Sequence, residues 1–191
     1  MTEAPLPRVI LALTGASGAI LGIRALERLR ELRVETHLVL SAAARITIAQ
    51  ETDWKVSDVQ ALADVSHDPR DIGATIASGS FPAHGMIVIP CSIKTLSGIA
   101  NSYADDLIVR AADVTLKEGR PLVLVVRETP LHRGHLRLMD LAARAGAVIF
   151  PPVPAFYQHP ATLDEMVDQT VARALQRLGL PDPGVTPWKG L

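Results

Sequence analysis

The chain has 191 residues, 48% hydrophobic and 20% charged, with a formal net charge of −1. That length suits one domain with a full core of its own, and scattered Lys and Arg at near-neutral balance exclude a basic nucleic-acid-binding stripe. A lone cysteine, Cys91, excludes an internal disulfide framework; it reads as a small buried side chain in a protein of a reducing, cytoplasmic compartment.

The N-terminal MTEAPLPR has an acid and two prolines where a signal peptide would carry basic residues. The first strand-like run, 8–14, ends in Thr14-Gly15-Ala16-Ser17-Gly18 and passes into helical spacing at 18–33. A second run, 34–40 (VETHLVL), stops at Ser41 before helical segments 42–53 and 57–64. No charged residue occurs between Ile72 and Ile93, yet Gly, Ser, Pro and His84 interrupt the stretch too often for a membrane span. Within it, 85–90 reads as a third strand, and 92–118 follows as one long helix. A fourth strand at 121–126 ends in Arg127-Glu128, a helix occupies 134–145, and a fifth strand spans 146–150. FPPVPAFYQHP, 150–160, interleaves aromatic and apolar residues with prolines, as an ordered loop does, ahead of a last helix at 161–179 and an irregular tail holding Trp188. Strands apolar on both faces that alternate with helices imply a doubly wound parallel α/β sheet, with ligands beyond the carboxyl ends of its strands. The apolar composition further predicts a homo-oligomer or a large apolar pocket.

TGASGAILG lies on a strand-to-helix turn of the kind that favours a phosphate, yet its glycines at 15, 18 and 22 miss the G-x-G-x-x-G spacing. The second strand ends in Ser41 where a dinucleotide site would carry Asp or Glu, so the residues leave a choice between a mononucleotide phosphate and a plain tight turn. PCSIKTLSGIA then crowds Ser92, Lys94, Thr95 and Ser97 at a helix start, where hydroxyls, free amides and an ammonium favour an anion; Ser92 is equally an N-cap. Arg110 and Lys117 are seven apart on one helix face, and Arg127-Glu128 place two charges at the end of an apolar strand, which costs desolvation unless a ligand or partner meets them. With Tyr157 and Arg173, several cations converging on one rim suggest a second phosphate beside the first. No His, Cys and Asp cluster has metal-ligand spacing, so no metal is expected.

TGASGA, SAAARITIAQE, ASGSF, PCSIKTLSGIA, RAADVTLKE, RPLVLVVRETPL and PPVPAFYQHP, in this order, closely resemble the flavin prenyltransferases of the UbiX type from about residue 8 to residue 180. The resemblance implies a single FMN-binding domain of flavodoxin- or Rossmann-like three-layer type, assembled as a homododecamer. Its implied activity joins a dimethylallyl group from dimethylallyl monophosphate to reduced FMN. The prenylated FMN then serves a UbiD-type decarboxylase, for example in ubiquinone synthesis. It also implies that Gly15, Ala16, Ser17, Ser41, Ser92, Ile93, Lys94, Thr95 and Arg127 contact FMN, whose phosphate would sit on TGAS. Arg110, Lys117, Glu128, Tyr157 and Arg173 would hold the prenyl phosphate, and Ser17 with Glu51 would relay a proton from the flavin's central ring nitrogen.

The chemistry suits these residues. Cleaving an allylic carbon–oxygen bond leaves negative charge on the departing phosphate, which fixed cations stabilise; Glu128, if protonated, donates a hydrogen bond to it; an aromatic face steadies the allylic cation. Some relatives carry a Trp in the loop before ASGS, where this chain reads SHDPRDIGATI, which leaves Trp188, Phe81 or Tyr157 as the aromatic; Ala42 stands where some have Lys. Two rival readings share the fold: an FMN-dependent cysteine-type decarboxylase, whose PASANT-like segment is here PCSIKT without the Asn, and a non-catalytic FMN carrier, which would not need the cations.

Overall fold

The computed structural model describes residues 6 to 180 together with residue 185. Strands β1 (Arg8–Leu13), β2 (Glu35–Leu40), β3 (Val65–His67), β4 (Gly85–Cys91), β5 (Leu122–Val126) and β6 (Val148–Ile149) form one sheet in the order β3-β2-β1-β4-β5-β6, parallel throughout. Helices α1 (Ala19–Glu31), α2 (Ala42–Glu51), α3 (Val56–Gln60), α4 (Ile93–Ala100), α5 (Leu107–Lys117), α6 (Arg133–Arg144) and α7 (Leu163–Gln176) complete the doubly wound α/β arrangement.

Alternation along the strands builds two cores. Val9, Leu11 and Leu13 of β1 join Leu38, Leu40, Ile87 and Ile89 beneath α1 and α7. Ile10 and Ala12 turn the other way, to Met86, Val88, Leu122 and Leu124 beneath α4 and α5. Each such fully buried aliphatic side chain contributes roughly 1.5–3 kcal/mol over leaving it in water. The sheet winds from β1 out to β3 on one side and from β4 out to β6 on the other, so the crevice where strand order reverses lies between the carboxyl ends of β1 and β4. TGASG and PCSIKT both leave the sheet there.

Two expectations are corrected. The helix anticipated over 92–118 is two: α4 ends at Asn101, whose side chain donates to the Ser97 carbonyl, and α5 restarts on Asp106, whose carboxylate accepts from Val109 N–H at 2.9 Å. Apolar spacing continues on both sides of this polar break, which hides it in the sequence. β3 is an additional edge strand of three residues; with both Val65 and Ser66 exposed, it carries no apolar run to announce it.

Candidate active site

The glycine turn is shaped by its neighbours. A Cβ at Gly15 would fall 2.3 Å from Ala43 Cβ, because the start of α2 presses against the turn, and Gly18 adopts a φ of 102° that other residues resist. Gly22 answers to packing: a Cβ there would meet the Ile89 carbonyl at 2.5 Å, so α1 lies flush on β4.

Gly18 has no side chain to cap α1, and Glu51 from the end of α2 takes that place. Its Oε2 accepts from Gly18 N–H at 2.8 Å and Ala19 N–H at 3.0 Å. Burial alone would raise the Glu51 carboxyl, but the Ala19 and Gly18 amides, the Ser17 hydroxyl and the charge of Arg127 together hold it below its ordinary value. The Ser17 hydroxyl thus stands beside the Glu51 carboxylate and favours its ionised form. The first amides of α1 already serve an anion that belongs to the protein, and a phosphate at that point would face a like charge. This changes the expectation that the nucleotide phosphate sits on the helix opened by TGAS.

The starts of α2 and α4 differ. Ser41 accepts from Ala44 N–H at 3.0 Å, and Ser92 accepts from Thr95 N–H while donating to the Thr95 hydroxyl. The N–H groups of Ala42, Ala43, Ile93 and Lys94 have no hydrogen-bond acceptor among the described residues. Lys94 is exposed at the positive end of α4, an unfavourable place for a cation by about 0.3–1 kcal/mol unless an anion joins it. Neither Lys94 nor Arg127 has a carboxylate partner among the described residues.

A cavity of about 630 Å³ opens beside the turn, lined by Ser17, Glu51 and Arg127 on its polar side and by Trp54, Pro152, Leu163, Met166 and Val167 among its apolar walls. Arg127 and Glu128 stand exposed just past the end of β5, so the desolvation cost anticipated for a charged pair at the carboxyl end of the strand does not arise; Glu128 Oε1 accepts from Thr129 N–H. A smaller cavity of about 200 Å³ joins Tyr157 to Arg173, and Thr170 lines both.

Arg110 and Lys117 lie elsewhere. α5 begins where Leu107 N–H meets the Pro69 carbonyl just beyond β3, and it ends four residues before Pro121, whose carbonyl holds the start of β4. It therefore runs from the carboxyl edge of the sheet to the amino edge. Arg110 bonds to the Ala77 carbonyl and Asp113, while Lys117 pairs with Glu118 beside Gly79. Within one chain Lys117 therefore lies away from the carboxyl rim that holds Arg127, and Arg110 is engaged by Ala77 and Asp113. Sequence spacing gave the shared helix correctly, and the direction of that helix carries Lys117 away.

Of the three aromatic candidates, Tyr157 lines the smaller cavity, Trp188 lies outside the described residues, and Phe81 packs edge-on against His37 beneath Arg8. Trp54, not anticipated, lines the main cavity. Cys91 is fully buried, and burial pushes its thiol up to about 12, so it is packing, as expected.

Residues 2–174 match the family described as Flavoprotein. The flavin prenyltransferase UbiX of Salmonella typhimurium is 63% identical over 177 residues, covering 92% of this chain and 94% of that protein. The chain belongs to the UbiX-type flavin prenyltransferases. A UbiX protein crystallised with FMN and dimethylallyl pyrophosphate superposes with a TM-score of 0.96 at 53% identity, covering 98% of this chain and all of that one. A dodecameric FMN-dependent UbiX-like decarboxylase from Escherichia coli O157:H7 reaches 0.93 at 55% identity, covering 96% of this chain and 100% of the other. Membership of the prenyltransferase family sets aside the cysteine-decarboxylase and carrier readings. No helix of the described residues is long and apolar enough to cross a membrane.

Proposed function

We propose that this chain joins a dimethylallyl group from dimethylallyl monophosphate to reduced FMN and delivers prenylated FMN to a UbiD-type decarboxylase. The observation that carries the reading is the pairing, at one crevice, of an ionised Glu51 beside Ser17 with two cations outside ion-pair distance of any described carboxylate and four free helix-start amides. That set fits a ligand with a phosphate at one end and a proton-yielding ring at the other. The phosphate goes to Ser41, Ser92, Ile93, Lys94 and Thr95 at the starts of α2 and α4, away from the Glu51 charge. Gly15, Ala16 and Ser17 meet the ring, with Arg127 beside them.

FMN, once bound and reduced, supplies the nucleophilic ring. Because Glu51 is held ionised and Ser17 donates to it, the Ser17 oxygen is left to accept, and the pair takes a proton away. Arg110, Lys117, Arg173 and the Tyr157 phenol meet the charge that develops on the leaving phosphate, each fixed donor contributing roughly 3–4 kcal/mol at such a position. Glu128, when protonated, donates a hydrogen bond to that phosphate and passes its proton to it.

These groups come together when copies of the chain assemble, and a homododecamer is the assembly we propose, in agreement with the dodecameric relative. We further place this single-domain protein in the cytoplasm, where its one thiol stays reduced. Incubation with reduced FMN and dimethylallyl monophosphate, followed by mass spectrometry of the released flavin, tests the reading. A flavin heavier by one five-carbon unit is expected; an unchanged mass overturns it.

A further inference from the structure

We infer that Thr14 is a positioning residue for the flavin cradle, a role that rests on the flavin-binding reading above. Thr14 follows the last residue of β1 and is buried to 1% exposure. Its hydroxyl donates to the Pro90 carbonyl at 2.8 Å and accepts from Ser92 N–H at 2.7 Å, and its own N–H donates to the same carbonyl at 3.2 Å. One side chain thereby clamps both sides of Cys91, where β4 gives way to α4.

On the β1 side the regular ladder stops short of this place. The β1–β4 ladder ends at the pair Ala12 and Val88, and the β4–β5 register shifts between Val88 and Cys91. Beyond that point β5 still pairs with Cys91, while the tie to β1 runs through the Thr14 amide and hydroxyl. It fixes Ser92, whose own hydroxyl caps α4 through Thr95. The two segments assigned to FMN, 15–17 after β1 and 92–95 after β4, are therefore spaced by a side chain that touches neither the flavin nor the prenyl donor. A threonine at a strand end gives no sign of this in the sequence, since β-branched residues are ordinary there.

Thr14→Val keeps the shape and deletes the hydroxyl, leaving the Ser92 amide and the Pro90 carbonyl with a lost partner. In steady-state prenylation, the KM for reduced FMN is expected to rise about tenfold, with kcat and the KM for dimethylallyl monophosphate within about twofold. Thr14→Ser restores the hydroxyl and is expected to return the flavin KM to near wild type. If Thr14 merely supports the fold, Thr14→Val lowers the apparent kcat through loss of folded enzyme and leaves both KM values in place, which overturns the inference. Thr14→Ala carries the same split should the valine variant fail to fold. Wild-type protein that binds no reduced FMN would defeat the functional reading instead, a result separate from a valine variant that binds as tightly as wild type.

Discussion

The two ends of the sheet prepare for their ligands in opposite ways. At the carboxyl edge a single chain brings Ser17, Glu51 and Arg127 around one cavity and leaves the amides at the starts of α2 and α4 free. Along α5, which runs away to the amino edge, Arg110 in the first turn sits on Asp113 and Lys117 at the far end leans on Glu118. The first region gathers its groups within one copy; the second is a set of cations paired with neighbouring acids. Under the proposed function, flavin binding draws mainly on one chain and leaving-group stabilisation on the assembly.

The largest effect that tests this contrast is on turnover. Arg110→Ala is expected to reduce kcat about 100-fold or more while the FMN dissociation constant, read by flavin fluorescence, stays within about twofold. Mixing Arg110→Ala chains with Arg173→Ala chains through unfolding and refolding sharpens it: hybrid assemblies should regain part of the lost activity if the two residues act from different copies. No recovery would return both to one chain and break the comparison.

Glu128→Gln should rank next, with turnover slowed about 10- to 100-fold through loss of proton transfer and FMN still bound. Wild-type turnover in that variant would remove Glu128 from proton handling. Glu51→Ala touches stability as well as chemistry: losing the cap of α1 should cost about 1 kcal/mol, a fall of about 2–4 °C in Tm by calorimetry.

The smallest effect lies at the end of the edge strand β3. Burial first, and then the neighbouring His37, lower the affinity of His67 for a proton, with Asp71 opposing them. The unfolded chain takes up this proton near the ordinary 6.5, the folded chain only below it. Stability from this group is complete above 6.5 and declines as the pH falls toward the lowered value. His67→Gln should flatten the fall in Tm between pH 6.5 and about 5, before the carboxylates begin to titrate.

Much of the fold was legible because β1, β2, β4 and β5 are buried on both faces and read as unbroken apolar runs. β3 was not, since a three-residue edge strand needs no apolar pattern, and neither was the break at Asn101–Asp106, which depends on two local side-chain bonds. At the site, the glycine turn and the hydroxyl-rich start of α4 were legible as types of residue. That Glu51, 33 positions along the chain, already occupies the Gly18 amide was not, because capping across such a separation is fixed by packing. Trp54 was missed for a related reason: a lone aromatic in a polar TDWK stretch gains meaning only when the fold sets it on the cavity wall.

The bond between Glu51 and the first turn of α1 ties acidity to backbone order. Any step that protonates this carboxylate weakens its grip on two amides at once, so the start of the helix should loosen as the proton arrives and tighten as it leaves. Selection for a stronger or weaker base at this position would therefore be constrained by the integrity of the helix it anchors.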